Sequence, residues 1–495
     1  MQTIPGVLRK AVRRWPTHPA MVDGTTTLTF ADLHERVRRV AAGLAIQKGD
    51  RVCLWAPNSW QWEVAALAVT YAGGVLVPLN TRYTGHEVVD VVDRVEARYV
   101  VLADGFLDRN QTDELRAAAA EAGVGLPELL RVDALPEGEP GVDADVSPDD
   151  LADILFTSGT TGRSKGVMTT HAQSVEAARI WGELGELTED DRYLVVNPFF
   201  HSFGYKAGIL VSLVYGATLH PMPVFDVDAM LDVIERERIT VLPGAPAIFN
   251  ALLQAPRDGR DLSSLRFAVT GAAMVPVALV EKMQSELSFD LVLTAFGMTE
   301  CVMGAMGRRG DPPELVASTT GRVVPGMEMR IDAPPGEDGE LLFRGPLVMQ
   351  GYLDDAEATA EAIDEDGWLH TGDVGRMDAE GNLKITDRLK DVYITGGFNV
   401  YPAEVEQALL RMPGVVDVAV VGVPDDRLGE VGGAFVVTSP DGEDRTVTRE
   451  DVIAFAKERL ANFKVPRHVE FVRFLPRNLS GKVLKTELRE QQTWT

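Results

Sequence analysis

Apolar residues recur along the first third of the chain at two spacings. After Leu28, the residues Phe30, Leu33, Val37, Val40 and Leu44 fall three or four apart with Ala41 beside them, which predicts an amphipathic helix after a short strand. From Val64 to Leu79 the chain is apolar almost throughout but carries Thr70, Gly73-Gly74 and Pro78. That stretch is too short and too interrupted to span a bilayer. It predicts a buried helix ending near Gly73 and a strand at 75–77. Residues 132–150 are acidic and rich in proline and glycine, the composition of a surface loop. From 151 to 330, short apolar runs at 193–196, 217–220, 240–242, 267–270 and 291–294 alternate with helical patterns such as 227–237 and 277–287. Alternation of this kind predicts α/β layers with mixed or parallel sheets.

The texture changes from residue 337, where turn-plus-strand units such as Gly339-Glu340-Leu341-Leu342 and Gly381-Asn382-Leu383 predict a β-rich segment. A charged node follows at Asp387-Arg388-Leu389-Lys390-Asp391. Beyond it Pro402 opens a helix with Val405, Leu409 and Met412 on one face. Strands are expected at 415–423 and 431–437, and Thr448 with Asp451 forms a capping box for a helix over 452–460. The expected division is therefore 1–389 and 390–495, the second piece being a small α+β unit of ordinary domain size.

Composition narrows the class. Of 495 residues, 48 are Lys or Arg and 74 are Asp or Glu, a net charge of −26. A surface so acidic argues against nucleic-acid partners and against anionic membranes, and no stable membrane insertion is expected. A small anionic ligand remains compatible, since it needs only a local nest of donors. Two cysteines, Cys53 and Cys301, cannot build a disulfide framework or a four-thiolate zinc site and are expected as buried thiols of a cytoplasmic protein. Arg9, Lys10, Arg13 and Arg14 precede no apolar core, so no signal peptide is read.

The strongest chemical signal is Thr157-Ser158-Gly159-Thr160-Thr161-Gly162-Arg163-Ser164-Lys165 after a strand. Its glycines permit close backbone approach, and its hydroxyls and cations add donors for an anion. It is not a Walker A loop, because G-x-x-x-x-G-K-[ST] is absent. Five further strings accompany it: Phe296-Gly297-Met298-Thr299-Glu300, Trp368-Leu369-His370-Thr371-Gly372-Asp373, Asp387-Arg388-Leu389-Lys390-Asp391, Gly396-Gly397-Phe398-Asn399 and Leu479-Ser480-Gly481-Lys482. Each alone has an ordinary account as a turn, a helix start or a tail lysine. Their joint order does not.

Together these strings resemble the acyl-adenylate-forming enzymes, a family of acyl-CoA synthetases, stand-alone adenylation domains and beetle luciferases. The resemblance runs from about residue 10 to 490. It implies a multi-domain α/β protein, with a large N-terminal domain of layered sheets plus a β-barrel-like subdomain and a small mobile α+β C-terminal domain. It implies ATP, Mg²⁺ and coenzyme A as cofactors. A carboxylate would first attack the α-phosphate of ATP, giving acyl-AMP and pyrophosphate; a thiol would then expel AMP.

By the same resemblance Thr157 to Lys165 would hold the β- and γ-phosphates, Thr299 the α-phosphate and Glu300 the metal. Asp373 would bind the ribose diol with Arg388 nearby, and Gly271, Ala272, Ala273 and Phe296 would flank adenine. Lys482 would bridge carboxylate and α-phosphate, Lys390 would be the hinge, and Gly396, Gly397 and Phe398 would line the thiol tunnel. Two departures stand out: Ser164 where the family commonly has proline, and Phe296 where it commonly has tyrosine.

The segment Asn197-Pro198-Phe199-Phe200-His201-Ser202-Phe203-Gly204-Tyr205-Lys206 would border the acyl pocket, together with Ala272 and Gly297, with His201 near the carboxylate. Its aromatic and glycine content suggests an apolar, roomy pocket, and no acid at 201–206 offers a partner for a substrate ammonium. Within the family these strings are most similar to actinobacterial CoA ligases of sterol catabolism, which implies a bicyclic indanedione propanoate (HIP) or a fatty acid as substrate. The alternative is an enzyme that loads an acyl group onto a carrier protein.

Overall fold

The computed structural model describes residues 2–141, 143–157, 164–256, 259–271, 275–334, 336–337, 339–388, 392–400, 402–438, 447–476, 483 and 485–490. Among them, two large sheets dominate. The first has nine strands in the order Arg322–Val323, Cys301–Met306, Leu291–Met298, Phe267–Thr270, Val241–Gly244, Arg192–Val195, Thr218–Pro221, Pro19–Asp23 and Thr26–Thr29. Its middle strands are parallel, because helices such as Val227–Glu237, Pro246–Gln254 and Val277–Glu286 carry the chain back between them. The second sheet has seven strands, with Arg51–Trp55, Val75–Pro78 and Tyr99–Leu102 parallel at its centre and the antiparallel pair Leu151–Thr157 and Lys165–Thr170 toward one edge.

The helix Trp60–Tyr71 lies between the two sheets, touching Arg51–Trp55 and Val75–Pro78 on one side and Pro19–Asp23 on the other. Every residue from Trp62 to Tyr71 is consequently buried, which is why the sequence there shows a continuous apolar run and not a stripe. The amphipathic helix appears as Phe30–Leu44, opened by a Thr29–Asp32 capping box. The strand expected at 291–294 extends to Met298, because its last residues leave the parallel ladder and pair antiparallel with Cys301–Met306. Both cysteines are fully buried thiols.

The β-rich segment is a four-stranded antiparallel sheet of Glu328–Asp332, Gly339–Arg344, Leu369–Met377 and Leu383–Arg388. The C-terminal sheet is built on the long hairpin Val415–Asp425 and Gly429–Thr438, extended by Tyr393–Thr395, Phe398–Val400 and His468–Phe471. The helices Pro402–Leu409 and Arg449–Arg459 pack on it, burying Val405, Leu409, Val420, Val436, Val452, Ala456 and Val469 in a core of its own. The capping box foreseen at Thr448 and Asp451 is present.

Candidate active site

The parallel strands of the nine-stranded sheet are in register, so Val195, Gly244, Thr270 and Thr294 end at one edge. The segments that follow each strand, including His201, Gly271 and the 295–300 hairpin, are delivered to that edge. Ligands of open α/β sheets bind outside the carboxyl ends of the strands.

The phosphate-loop candidate is the tip of a hairpin. Thr157 and Lys165 face each other at the last rung, and residues 158–163 lie outside the described residues. The Arg94 guanidinium donates to the Ser164 carbonyl at 2.6 Å, so the loop exit is fixed by a side chain where the family commonly uses proline. Lys165 Nζ lies 4.8 Å from the Tyr352 ring centroid. The Tyr352 hydroxyl donates to Glu300 Oε1 at 2.9 Å. Glu300 forms, with Thr299, the two-residue turn between Leu291–Met298 and Cys301–Met306. Burial raises the Glu300 pKa, opposed by the Tyr352 bond and the Lys165 charge, while Asp373 adds to the rise. Lys165 and Asp373 are therefore each within electrostatic reach of Glu300. Nothing in the sequence pattern marks Tyr352, which a bridge from a separate strand brings in.

Asp373 is buried on Leu369–Met377, and its cross-strand partner is Arg388. The strand irregularity before it is braced twice: the Thr371 hydroxyl donates to the Leu341 carbonyl at 2.7 Å, and the Gly372 N–H donates to Glu340 Oε1 at 3.1 Å. Glu340 Oε2 also lies 2.9 Å from His370 Nδ1 and raises that imidazole's pKa. Phe296 offers one ring face to Phe343, at 5.8 Å and 21°.

His201 caps the short helix Ser202–Gly204: its Nδ1 accepts from the Phe203 N–H at 3.2 Å, which leaves the ring proton on Nε2. The ring is exposed at its cleft edge, yet the protein mass around it disfavours the imidazolium and pushes its pKa down to about 4. A Cβ on Gly204 would sit 2.2 Å from the Pro198 carbonyl oxygen, so this glycine serves the close turn of its own segment. Residues Tyr205–Leu210 then form a π-helical turn, a form frequent at functional sites. Within it Lys206 is 1% exposed and lies 2.9 Å from Asp153 and 2.7 Å from the Thr169 hydroxyl. Asp153 also accepts from Thr169 and, at 2.9 Å, from Ser174. This network ties the acyl-side turn to the phosphate-loop hairpin.

Gly396 and Gly397, at φ +56° and +86°, form the tip between Tyr393–Thr395 and Phe398–Val400, a two-residue turn that demands left-handed backbone at both places. Phe398 stacks on Phe463 at 4.6 Å. The candidates Ala272, Ala273, Lys390 and Lys482 fall outside the described residues, as does the side chain of Arg388. Among the described residues there is no group of three or more His, Cys, Asp or Glu able to hold a metal. Mg²⁺ does not require one, because one carboxylate beside nucleotide phosphates is its usual setting. The hard oxygens of Glu300 and Thr299 suit it.

A family model for AMP-binding enzymes matches residues 8–353, and a second, for the AMP-binding enzyme C-terminal domain, matches 404–482. The chain belongs to the AMP-binding enzyme family. It is an AMP-forming acyl-CoA ligase that uses ATP, Mg²⁺ and CoA. It is 54% identical to the (7a-methyl-1,5-dioxo-octahydro-inden-4-yl)propanoyl:CoA ligase of Rhodococcus jostii, over 99% of each chain. Solved structures resemble it at 99% coverage of both chains. The o-succinylbenzoate-CoA synthetase of Bacillus subtilis, bound with its product analogue OSB-NCoA, gives a TM-score of 0.87 at 28% identity. ATP-bound MatB of Rhodopseudomonas palustris gives 0.70 at 32% identity.

Proposed function

We propose that the acid this ligase activates is the bicyclic indanedione propanoate named in its Rhodococcus relative, with CoA as the thiol acceptor in the cytoplasm. The observation that carries the site assignment is the convergence of Lys165 and Asp373 on Glu300, whose hairpin follows the same strand edge that delivers His201. A carboxylate and a triphosphate repel each other, and fixed cations at that edge offset the repulsion. Mg²⁺, held by Glu300, adds neutralising charge when bound. The Thr157–Lys165 loop and Thr299 hold the phosphates. Asp373, with Arg388, accepts from the ribose hydroxyls, since a carboxylate can accept two bonds. Gly271 to Ala273 and Phe296 flank adenine. His201, neutral above about pH 4, donates from Nε2 toward the acid. Lys482 bridges the attacking oxygen and the α-phosphate. The carboxylate oxygen bonds to phosphorus as pyrophosphate leaves; the thiol then bonds to the acyl carbon as AMP leaves.

Lys390 serves as the hinge on which the C-terminal domain turns between these steps. The match in shape to the synthetase carrying a CoA-ester analogue exceeds that to the ATP-bound enzyme, although sequence identity runs the other way. That supports reading the present domain arrangement as the thioester-forming one, with Gly396, Gly397 and Phe398 lining the pantetheine path. A panel of acids with ATP, Mg²⁺ and either CoA or a carrier protein tests the substrate reading by thioester mass. The indanedione propanoate should give the highest kcat/KM, on CoA. Preference for a fatty acid, or product on the carrier alone, would overturn it.

A further inference from the structure

The C-terminal domain meets the N-terminal domain through the residues after its helix Arg449–Arg459. Ala461 is 1% exposed and packs in the apolar cluster around Trp55, Val88 and Val92, all N-terminal residues. Phe463 touches both that cluster and the C-terminal core. The Thr84 hydroxyl donates to the Arg459 carbonyl at 3.3 Å. Beside this peg the Lys464 ammonium lies 2.8 Å from Glu87 Oε1, 2.6 Å from Glu404 Oε1 and 4.6 Å from the Tyr83 ring centroid. The Lys464 side chain is only 3% exposed.

The two carboxylates differ in what holds them. Glu404 is on the helix Pro402–Leu409, so it travels with Lys464. Glu87 lies across the boundary, and its other oxygen accepts from the Thr84 N–H at 2.9 Å, closing the N-terminus of the helix Gly85–Arg94. The far end of that helix carries Arg94, which holds the exit of the phosphate-loop hairpin. Separating the domains therefore leaves Lys464 with Glu404 and Glu87 with its capping donors. Neither charge is stranded, which is the condition for an ion pair to be made and broken in every turnover.

The geometry points to Glu87 and Lys464 as positioning residues for the second half-reaction: their ion pair latches the C-terminal domain in the thioester-forming orientation. This rests on the two-orientation reading proposed above. Glu87→Gln removes the charge but keeps a capping oxygen, since glutamine also serves at that position of the box. Dyes on Arg116→Cys and Arg411→Cys, exposed sites on the two domains, report domain position, because Cys53 and Cys301 are buried.

In Glu87→Gln, thioester formation from supplied acyl-AMP should slow about tenfold or more. Pyrophosphate release on adenylation should be unchanged within about twofold. The dye-pair distribution should shift away from the wild-type CoA-bound state. Equal slowing of both half-reactions in step with a lowered melting point would mark the pair as structural and overturn the assignment. Two wild-type populations, under ATP and under CoA, whose balance Glu87→Gln leaves alone would overturn the latch only. A single wild-type population under both ligands would overturn the domain turn and the latch with it.

Discussion

Among the described residues, Lys206 and Lys464 are buried against carboxylates, and they are buried differently. Lys206 sits inside the N-terminal domain, where Asp153 accepts from its ammonium and from the Thr169 and Ser174 hydroxyls. Lys464 sits at the domain boundary, divided between Glu87 and Glu404, and the second oxygen of Glu404 has no partner among the described residues. The first arrangement loses heavily if any member leaves, since an uncompensated charge would remain in the interior. The second can open without that loss. On the domain turn proposed above, the contrast separates a region whose geometry persists through both half-reactions from one that changes between them.

The sharpest way to break the contrast is Lys206→Met. With the cation gone, Asp153 faces only hydroxyl donors, and the cost expected is about 3–5 kcal/mol of unfolding free energy. Denaturant titration should show the midpoint fall, with adenylation and thioester formation declining together. A loss below about 1 kcal/mol would show that the buried pair is not what fixes this region.

A second test uses the lysine assigned to chemistry. Lys482→Ala should lose about 10²-fold or more in acyl-AMP formation, the scale of removing one electrostatic donor from a transition state. It should spare thioester formation from supplied acyl-AMP. Pyrophosphate release and thioester assays run in parallel decide it, and equal losses would erase the distinction between a persistent and a changing region.

Lys482 and Lys206 also show which candidate residues a sequence can offer and which it cannot. Lys482, Glu300 and Asp373 stand out because each lies in a local string with a recognisable order. The helices 227–237 and the Thr448 box are equally legible, being local patterns of apolar spacing and capping. Lys206 and Asp153 are 53 positions apart, and Lys464 and Glu87 are 377 apart. Such pairs are made by tertiary packing, and no spacing rule announces them. Tyr352 stays hidden for the same reason: its partner Glu300 is 52 positions away. The extension of Leu291–Met298 beyond 294 is also a tertiary effect, since it follows from a new antiparallel neighbour.

Glu63 refines the comparison, because it is a buried charge-bearing group that found neither solution. It is 1% exposed on Trp60–Tyr71, and its Oε2 has no hydrogen-bond partner among the described residues. Burial pushes its pKa from 4.5 to about 8, so at neutral pH it is held as the uncharged acid. Between those values the folded chain keeps a proton that the unfolded chain releases. The contribution of this group to stability is therefore complete below about pH 4.5 and is lost as pH rises through about 8. Glu63→Gln removes the ionisation without changing the shape, and should raise stability by about 2 kcal/mol at pH 6, by more at pH 8, and by almost nothing at pH 4.5. Unfolding measured across that range should be flatter for the variant than for the wild type. Parallel profiles would mean that Glu63 has a partner in solution and belongs with Lys206 and not apart from it.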